Sequence, residues 1–184
     1  MARSSCAFAS ILLVALSACS KPATQTESAT GDKLIDQCGP VTPTGYCGVK
    51  FGMTREDAAQ AFPMPLESFG NEGTEAPECY MVFPQSRSKD LTFMIVSGRV
   101  ARIDVYAPGI KADDGNHVGS SEADILQSYG DRASMSPNKY DKTKHDIVVT
   151  TAPNSRFVFQ TDGTKVLNYR SGVLPAVAFV EGCG

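Results

Sequence analysis

Two histidines, His117 and His145, are the only imidazoles in this 184-residue chain, and they stand 28 positions apart. Acid–base or nucleophilic catalysis needs a base held beside a nucleophile or a second titrating group. His117 falls in the connector DDGNHV and His145 in the polar run NKYDKTKHD. Both read as exposed loop histidines, so no catalytic residue is assigned. The cluster Asp113-Asp114-Gly115-Asn116 suggests calcium at first sight, but EF-hand spacing is absent and it reads as a turn. None of Cys38, Cys47, Cys79 and Cys183 lies in a C-x-x-C pair. Zinc is therefore not expected, and neither a metal nor any other cofactor is assigned. What remains is recognition. In RVARIDVYA, strand alternation puts Ala101, Ile103 and Val105 in one apolar row and turns Arg102, Asp104 and Tyr106 to the other face. In KVLNYR, Asn168 and Arg170 fall on the corresponding row. Tyr and Arg are frequent binding anchors, so these five residues are the expected binding face for a protein partner.

The elements that must position them come twice. CGVKFGMTREDAAQAF and DGNHVGSSEADILQSY align without a gap at an offset of 67 positions, matching Gly48 with Gly115, Gly52 with Gly119, Asp57 with Asp124 and Gln60 with Gln127. Thr54 and Ser121 fit helix N-caps, each with an aspartate three residues on to favour the positive helix end. Each helix is short: Pro63 and Pro65 stop the first, and Gly130 is placed to end the second. Strand-rich segments follow each helix: 79–83, 91–96 and 99–106 in the first copy, 146–151, 156–160 and 165–170 in the second. Ser97-Gly98 and Asp162-Gly163 read as matching hairpin turns, and PAVAFVEGC as a closing strand. The expected fold is α+β: two tandem helix-plus-antiparallel-meander repeats, with the helices packed on one face of the sheet. Residues 38–184 form one globular domain, with repeats at about 47–110 and 111–184.

The N-terminus is a targeting segment. Residues 1–18 hold one charge, Arg3, then an apolar run too short for a spanning helix of ~20 residues. Leu16-Ser17-Ala18-Cys19 resembles the lipobox of bacterial lipoproteins. That resemblance implies cleavage before Cys19 and acylation of Cys19, and Ser20 in place of Asp implies release to the outer membrane, on the periplasmic side. Residues 19–37 then form a tether, which as a flexible coil would hold the domain on average ~20 to 25 Å from the lipid. The whole sequence carries 17 Lys and Arg against 20 Asp and Glu, and loss of Arg3 brings the net charge from −3 to −4. Mild acidity without a basic cluster excludes a nucleic-acid partner. The four remaining cysteines suggest two disulfides in an oxidising compartment. The Pro- and Gly-rich loop GPVTPTGY favours Cys38 with Cys47, which leaves Cys79 for Cys183; the rival pairing is Cys47 with Cys79 and Cys38 with Cys183.

A Gly-Met-Thr or Gly-Ser-Ser start to a short helix, followed by a meander and repeated in tandem, resembles the β-lactamase-inhibitor protein (BLIP) type of fold over about residues 47–181. Single units resemble the small outer-membrane assembly lipoproteins of the SmpA/OmlA type, with Gly52-Met53-Thr54 as the closest motif. DGNHVGSSEADILQSYG and YRSGVLPAVAFVEGC are similar to lipoproteins of the xanthomonad group, some of them labelled lectins. The resemblance implies a non-enzymatic, protein-binding or inhibitor-like module. A glycan- or peptidoglycan-binding role, or an accessory role in envelope assembly, stands as the alternative. Cysteine placement departs from the inhibitor proteins, whose bridges lie within each repeat, because Cys183 has no counterpart inside its own repeat.

Overall fold

The computed structural model describes residues 38–68, 78–87 and 90–183. The signal segment, Cys19 and the tether lie outside them. The described fold is mainly β, an antiparallel sheet with two short helices. A two-residue hairpin pair, β1 (Gly45–Tyr46) and β2 (Val49–Lys50), precedes helix α1 (Arg55–Ala61). Then come β3 (Leu66–Ser68), β4 (Cys79–Pro84), β5 (Leu91–Val96) and β6 (Arg99–Val105). Helix α2 (Glu122–Tyr129) opens a second series of β7 (Ala133–Pro137), β8 (His145–Ala152), β9 (Ser155–Thr161) and β10 (Val166–Val173). All but the first hairpin join one eight-stranded sheet in the order β3-β4-β5-β6-β10-β9-β8-β7. The last strand of each series meets the other at the centre, antiparallel, with Arg170 opposite Asp104 and Gly172 opposite Arg102.

Both helix starts are capped as their sequences require. The Thr54 hydroxyl accepts the Asp57 N–H at 3.1 Å, and Ser121 does the same for Asp124 at 3.1 Å while Asp124 reaches back to the Ser121 N–H. The glycines ahead of the caps have a further use. Gly52, at φ +90°, donates its N–H to Val100 O at 2.8 Å, and Gly119, at φ +100°, donates to Val166 O at 2.8 Å. Each glycine thus turns the chain into a conformation that L residues disfavour and ties the helix start to the fourth strand of its own series. Phe62 of the first series, Ile125 and Tyr129 of α2, and the inward rows of both half-sheets share one buried cluster, so both helices cover the same sheet face. Phe157, Phe159, Tyr169 and Tyr129 stack there with ring centroids 5.4 to 6.4 Å apart.

Several expectations change. Strands β3 and β7 were not foreseen: both are sheet edges, short or polar, and lack an apolar run. The turn at Asp162-Gly163 does not match Ser97-Gly98. Ser97 and Gly98, at φ +49° and +73°, form a two-residue turn, whereas the second loop spans 162–165, with Asp162 Oδ1 accepting the N–H groups of Thr164 at 2.9 Å and Lys165 at 2.8 Å. Ala101 does not share a row with Ile103 and Val105. Met94 pairs with Arg102 and Ile95 with Val100, so Ala101 is the extra residue of a bulge and turns to the opposite face. The segment after β10 is no strand; Pro175 cannot donate to a ladder, and a single 3-10 turn at Ala176–Ala178 follows it. Gly172 allows the central strands to touch, since a Cβ there would lie 2.6 Å from Ala101 O and 2.9 Å from Arg102 Cα. Gly172→Ala is expected to cost about 1 to 3 kcal/mol by overpacking, read as a lower urea midpoint with an unchanged m-value.

Candidate functional site

The sheet face turned away from the helices carries the residues expected to bind a partner, and most of them are already engaged. Arg102, Asp104 and Arg170 are buried, at 3%, 7% and 7% exposure. The expectation of an open polar face is corrected: the C-terminal segment 174–183 runs across it as a strap. Arg102 Nε donates to Asp104 Oδ2 at 2.8 Å, and its Nη1 donates to the carbonyls of Ala176 at 2.9 Å and Phe179 at 3.0 Å. Arg170 Nε donates to Val177 O at 2.8 Å. Main-chain carbonyls that no longer join a ladder thus find charged donors, each such bond worth roughly 1.5 to 3 kcal/mol. Ala176 and Val177 are buried, and Ala176 packs with Met94 and Ala101. At its far end the strap is joined to β4 by the disulfide Cys79–Cys183, with Cα atoms 5.4 Å apart, and Cys38–Cys47 closes the first hairpin at 5.2 Å.

Electrostatics under the strap are unbalanced. Burial raises the Asp104 carboxyl above its ordinary range, opposed by the charge and hydrogen bond of Arg102 and the charge of Arg170. Burial lowers Arg170, and repulsion from Arg102 adds to that. Of the remaining expected binding residues, Asn168 is half-buried and donates to Gln160 Oε1 at 3.0 Å, and Tyr106 is exposed at the end of the Arg102–Asp104 row.

Beside the strap lies a groove of about 470 Å³ lined by Lys139, Tyr140, Phe179, Val180 and Glu181. Tyr140, Phe179 and Val180 are 60%, 40% and 38% exposed. Lys139 Nζ sits 4.9 Å from the Tyr140 ring centroid, and the Tyr140 hydroxyl donates to Glu181 Oε1. None of these residues stands on the binding row expected from the sequence: PAVAFVEGC reads there as a closing strand, and Lys139 and Tyr140 fall in the polar run NKYDKTKHD, whose loop is the next place to look. A signal was present in the apolar run AVAFV ending near Cys183, a cysteine that had to reach back to β4.

The groups first considered for chemistry are placed elsewhere. His145 is not in a loop: it starts β8, half-buried, with Nδ1 2.8 Å from Glu122 Oε1, which also accepts the Thr161 hydroxyl. His117 sits beside Ser120, whose Oγ is 3.2 Å from its Nδ1 and accepts its N–H at 3.0 Å. Asp114 accepts the Asn116 N–H at 3.0 Å, the bond of a tight turn, and Tyr129 donates to Asp113 Oδ1 at 3.3 Å. Among the described residues, no group of three or more His, Cys, Asp and Glu is placed to hold a metal ion. No helix among them is long and apolar enough to cross a membrane, which leaves β-barrels unaddressed. Two disulfides fit a non-cytoplasmic, oxidising compartment.

No family model and no curated protein matches the chain. Among solved structures it is similar to the crystal structure of the uncharacterized protein yfeY from Escherichia coli, with a TM-score of 0.47 and 14% identity over 73% of this chain and 99% of that one. A likeness so remote carries no argument about function.

Proposed function

We propose that the chain is a lipoprotein anchored by Cys19 to the outer membrane on the periplasmic side, and that it acts as a non-enzymatic, protein-binding or inhibitor-like module of two BLIP-like repeats. The matched pair of helix-start contacts, Gly52 to Val100 and Gly119 to Val166, supports the repeat reading. Lipidation follows from Leu16-Ser17-Ala18-Cys19. Cys19→Ala is expected to abolish fatty-acid labelling and to move the protein from the membrane to the soluble fraction; membrane retention of that variant would reject the anchor.

The observation that carries the binding role is the groove beside the strap, where an aromatic ring, a second ring and a valine stand open to solvent together. Exposed apolar residues gathered on one site mark interaction surfaces, whereas scattered ones do not. Tyr140→Ala with Phe179→Ala is expected to weaken capture of an envelope partner at least about tenfold, the loss of one strong anchor. Capture from an envelope extract, followed by mass spectrometry and repeated with purified partner, measures it. Undiminished capture would place the binding surface elsewhere.

The glycan-binding alternative has one observation in its favour. Tyr140 is flanked by Lys139 and Glu181, an open ring between polar groups that a sugar could stack on and hydrogen-bond to. Competition of the capture by peptidoglycan fragments would favour it over the protein partner.

A further inference from the structure

Apart from its disulfide, the strap is held by hydrogen bonds and by two small buried side chains. Of residues 174–182, only Ala176 and Val177 are buried; Leu174, Pro175 and Ala178 to Gly182 are exposed, and Val173 before them is half-buried. Its polar anchors on the sheet face are three main-chain carbonyls, those of Ala176, Val177 and Phe179, with the Leu174 N–H to Asn154 O and the Tyr140 hydroxyl to Glu181 at its two ends. Any peptide following the same path offers the same carbonyls, so Arg102 and Arg170 read backbone and not sequence. One restriction remains: the side chains in the places of Ala176 and Val177 must be small and apolar. The platform itself is unlike a merely covered face, which would carry apolar residues. Instead two arginines and one aspartate lie beneath two small side chains, all three more than nine-tenths buried. Cys79 and Cys183 are both only partly covered.

The geometry points to a peptide-docking face that the chain occupies with its own C-terminus and that becomes free when the Cys79–Cys183 bridge is opened. The occupant taken up in exchange is a segment of a partner protein that forms the same single 3-10 turn, with small apolar residues at the Ala176 and Val177 positions and its main-chain carbonyls turned to Arg102 and Arg170. Opening requires a dithiol reductant. Its thiolate attacks Cys183 Sγ, Cys79 leaves as a thiolate and takes a proton, and the second thiol of the reductant then displaces Cys183. Two cysteine thiols remain on this chain and one disulfide on the reductant. Without the covalent link the strap is a tail held by non-covalent contacts alone, and a competing peptide meets a face that is free for a larger fraction of the time.

The test uses the Cys19→Ala chain and a fluorescein-labelled peptide of residues 174–182, Leu-Pro-Ala-Val-Ala-Phe-Val-Glu-Gly, with uptake read by fluorescence anisotropy. Uptake is expected to be at least about tenfold stronger after dithiothreitol treatment, or in the Cys79→Ser/Cys183→Ser chain, than with the bridge closed. It is expected to disappear when the peptide carries Asp in the Val177 position. Equal uptake with the bridge open and closed, no uptake in either state, or equal uptake of the Asp peptide would overturn the inference. If the chain without the bridge loses its sheet by circular dichroism, the Val177→Asp chain with the bridge closed takes its place. There, uptake of the unsubstituted peptide supports the docking face and its absence overturns it. A dimer linked from Cys79 of one copy to Cys183 of another would make a second strap, not a partner segment, the occupant, and would also overturn it. This inference and the use of the groove fail separately: capture at Tyr140 and Phe179 is read with the bridge closed, peptide uptake with it open.

Discussion

Cys79→Ser with Cys183→Ser is expected to lower the unfolding free energy by about 4 to 5 kcal/mol, the chain-entropy value for a closed loop of about 100 residues. The bridge spans 104 positions and joins a strand of the first series to the last residues of the second. For a domain of this size such a loss corresponds to a fall in melting temperature of about 10 to 15 °C. The Cys38–Cys47 bridge closes a loop over a separation of only 9 positions, and Cys38→Ser with Cys47→Ser is expected to cost less. Differential scanning calorimetry on both pairs checks the order, and equal losses would contradict it.

Arg102→Leu is the second substitution expected to have a large effect. It leaves Asp104 buried without its hydrogen-bonded partner and takes the charged donor from two strap carbonyls, of which Ala176 O keeps the Phe179 N–H. Removing one member of a buried ion pair costs about 3 to 5 kcal/mol, whereas replacing both members by apolar residues is often close to neutral. Arg102→Leu/Asp104→Leu is therefore expected to recover a large part of the loss. The pH dependence has a definite sign. Burial holds the Asp104 carboxyl above its ordinary value, and Arg102 is the main group opposing that. The folded state thus binds the proton more tightly than the unfolded chain does. Stability from this group is highest below the ordinary carboxylate value and declines as pH rises through the raised one. Without Arg102 the rise is larger, so the loss should shrink on going from pH 7 to pH 5. Urea titrations at the two pH values measure it, and a deficit independent of pH would mean that Asp104 is not the source.

Those two effects mark where the sequence was informative and where it was not. The helix starts were legible because capping is local: Thr54 and Ser121 need only the residues three positions on. The two central strands were legible from their apolar runs, and so was the choice of cysteine partners from loop composition and reach. Alternation predicted the direction of Arg102, Asp104 and Arg170 but not their surroundings, since burial depended on a segment some 70 positions later in the chain for Arg102. Ala101 was assigned to the wrong row because a bulge shifts the period by one residue and leaves no mark in a strand of β-formers. Strands β3 and β7 had no signal because edge strands can be stable while short and polar, borrowing their order from the neighbour they pair with.

The placement of β6 and β10 at the middle of the sheet also fixes an order of assembly. A chain delivered N-terminus first, from a ribosome or across a membrane, finishes β6 at Val105 and must wait until Val166 before its mate begins to arrive. During that interval β6 is an open edge seven residues long, with the Ile103 and Val105 side chains ready to pack, which is the feature most prone to pairing with the wrong chain. The strap follows later still, because Cys183 lies beyond the end of β10 at Val173. A chain lacking Cys183 would keep every strand and lose its clasp, so the sheet can close before the bond that locks its strap can form.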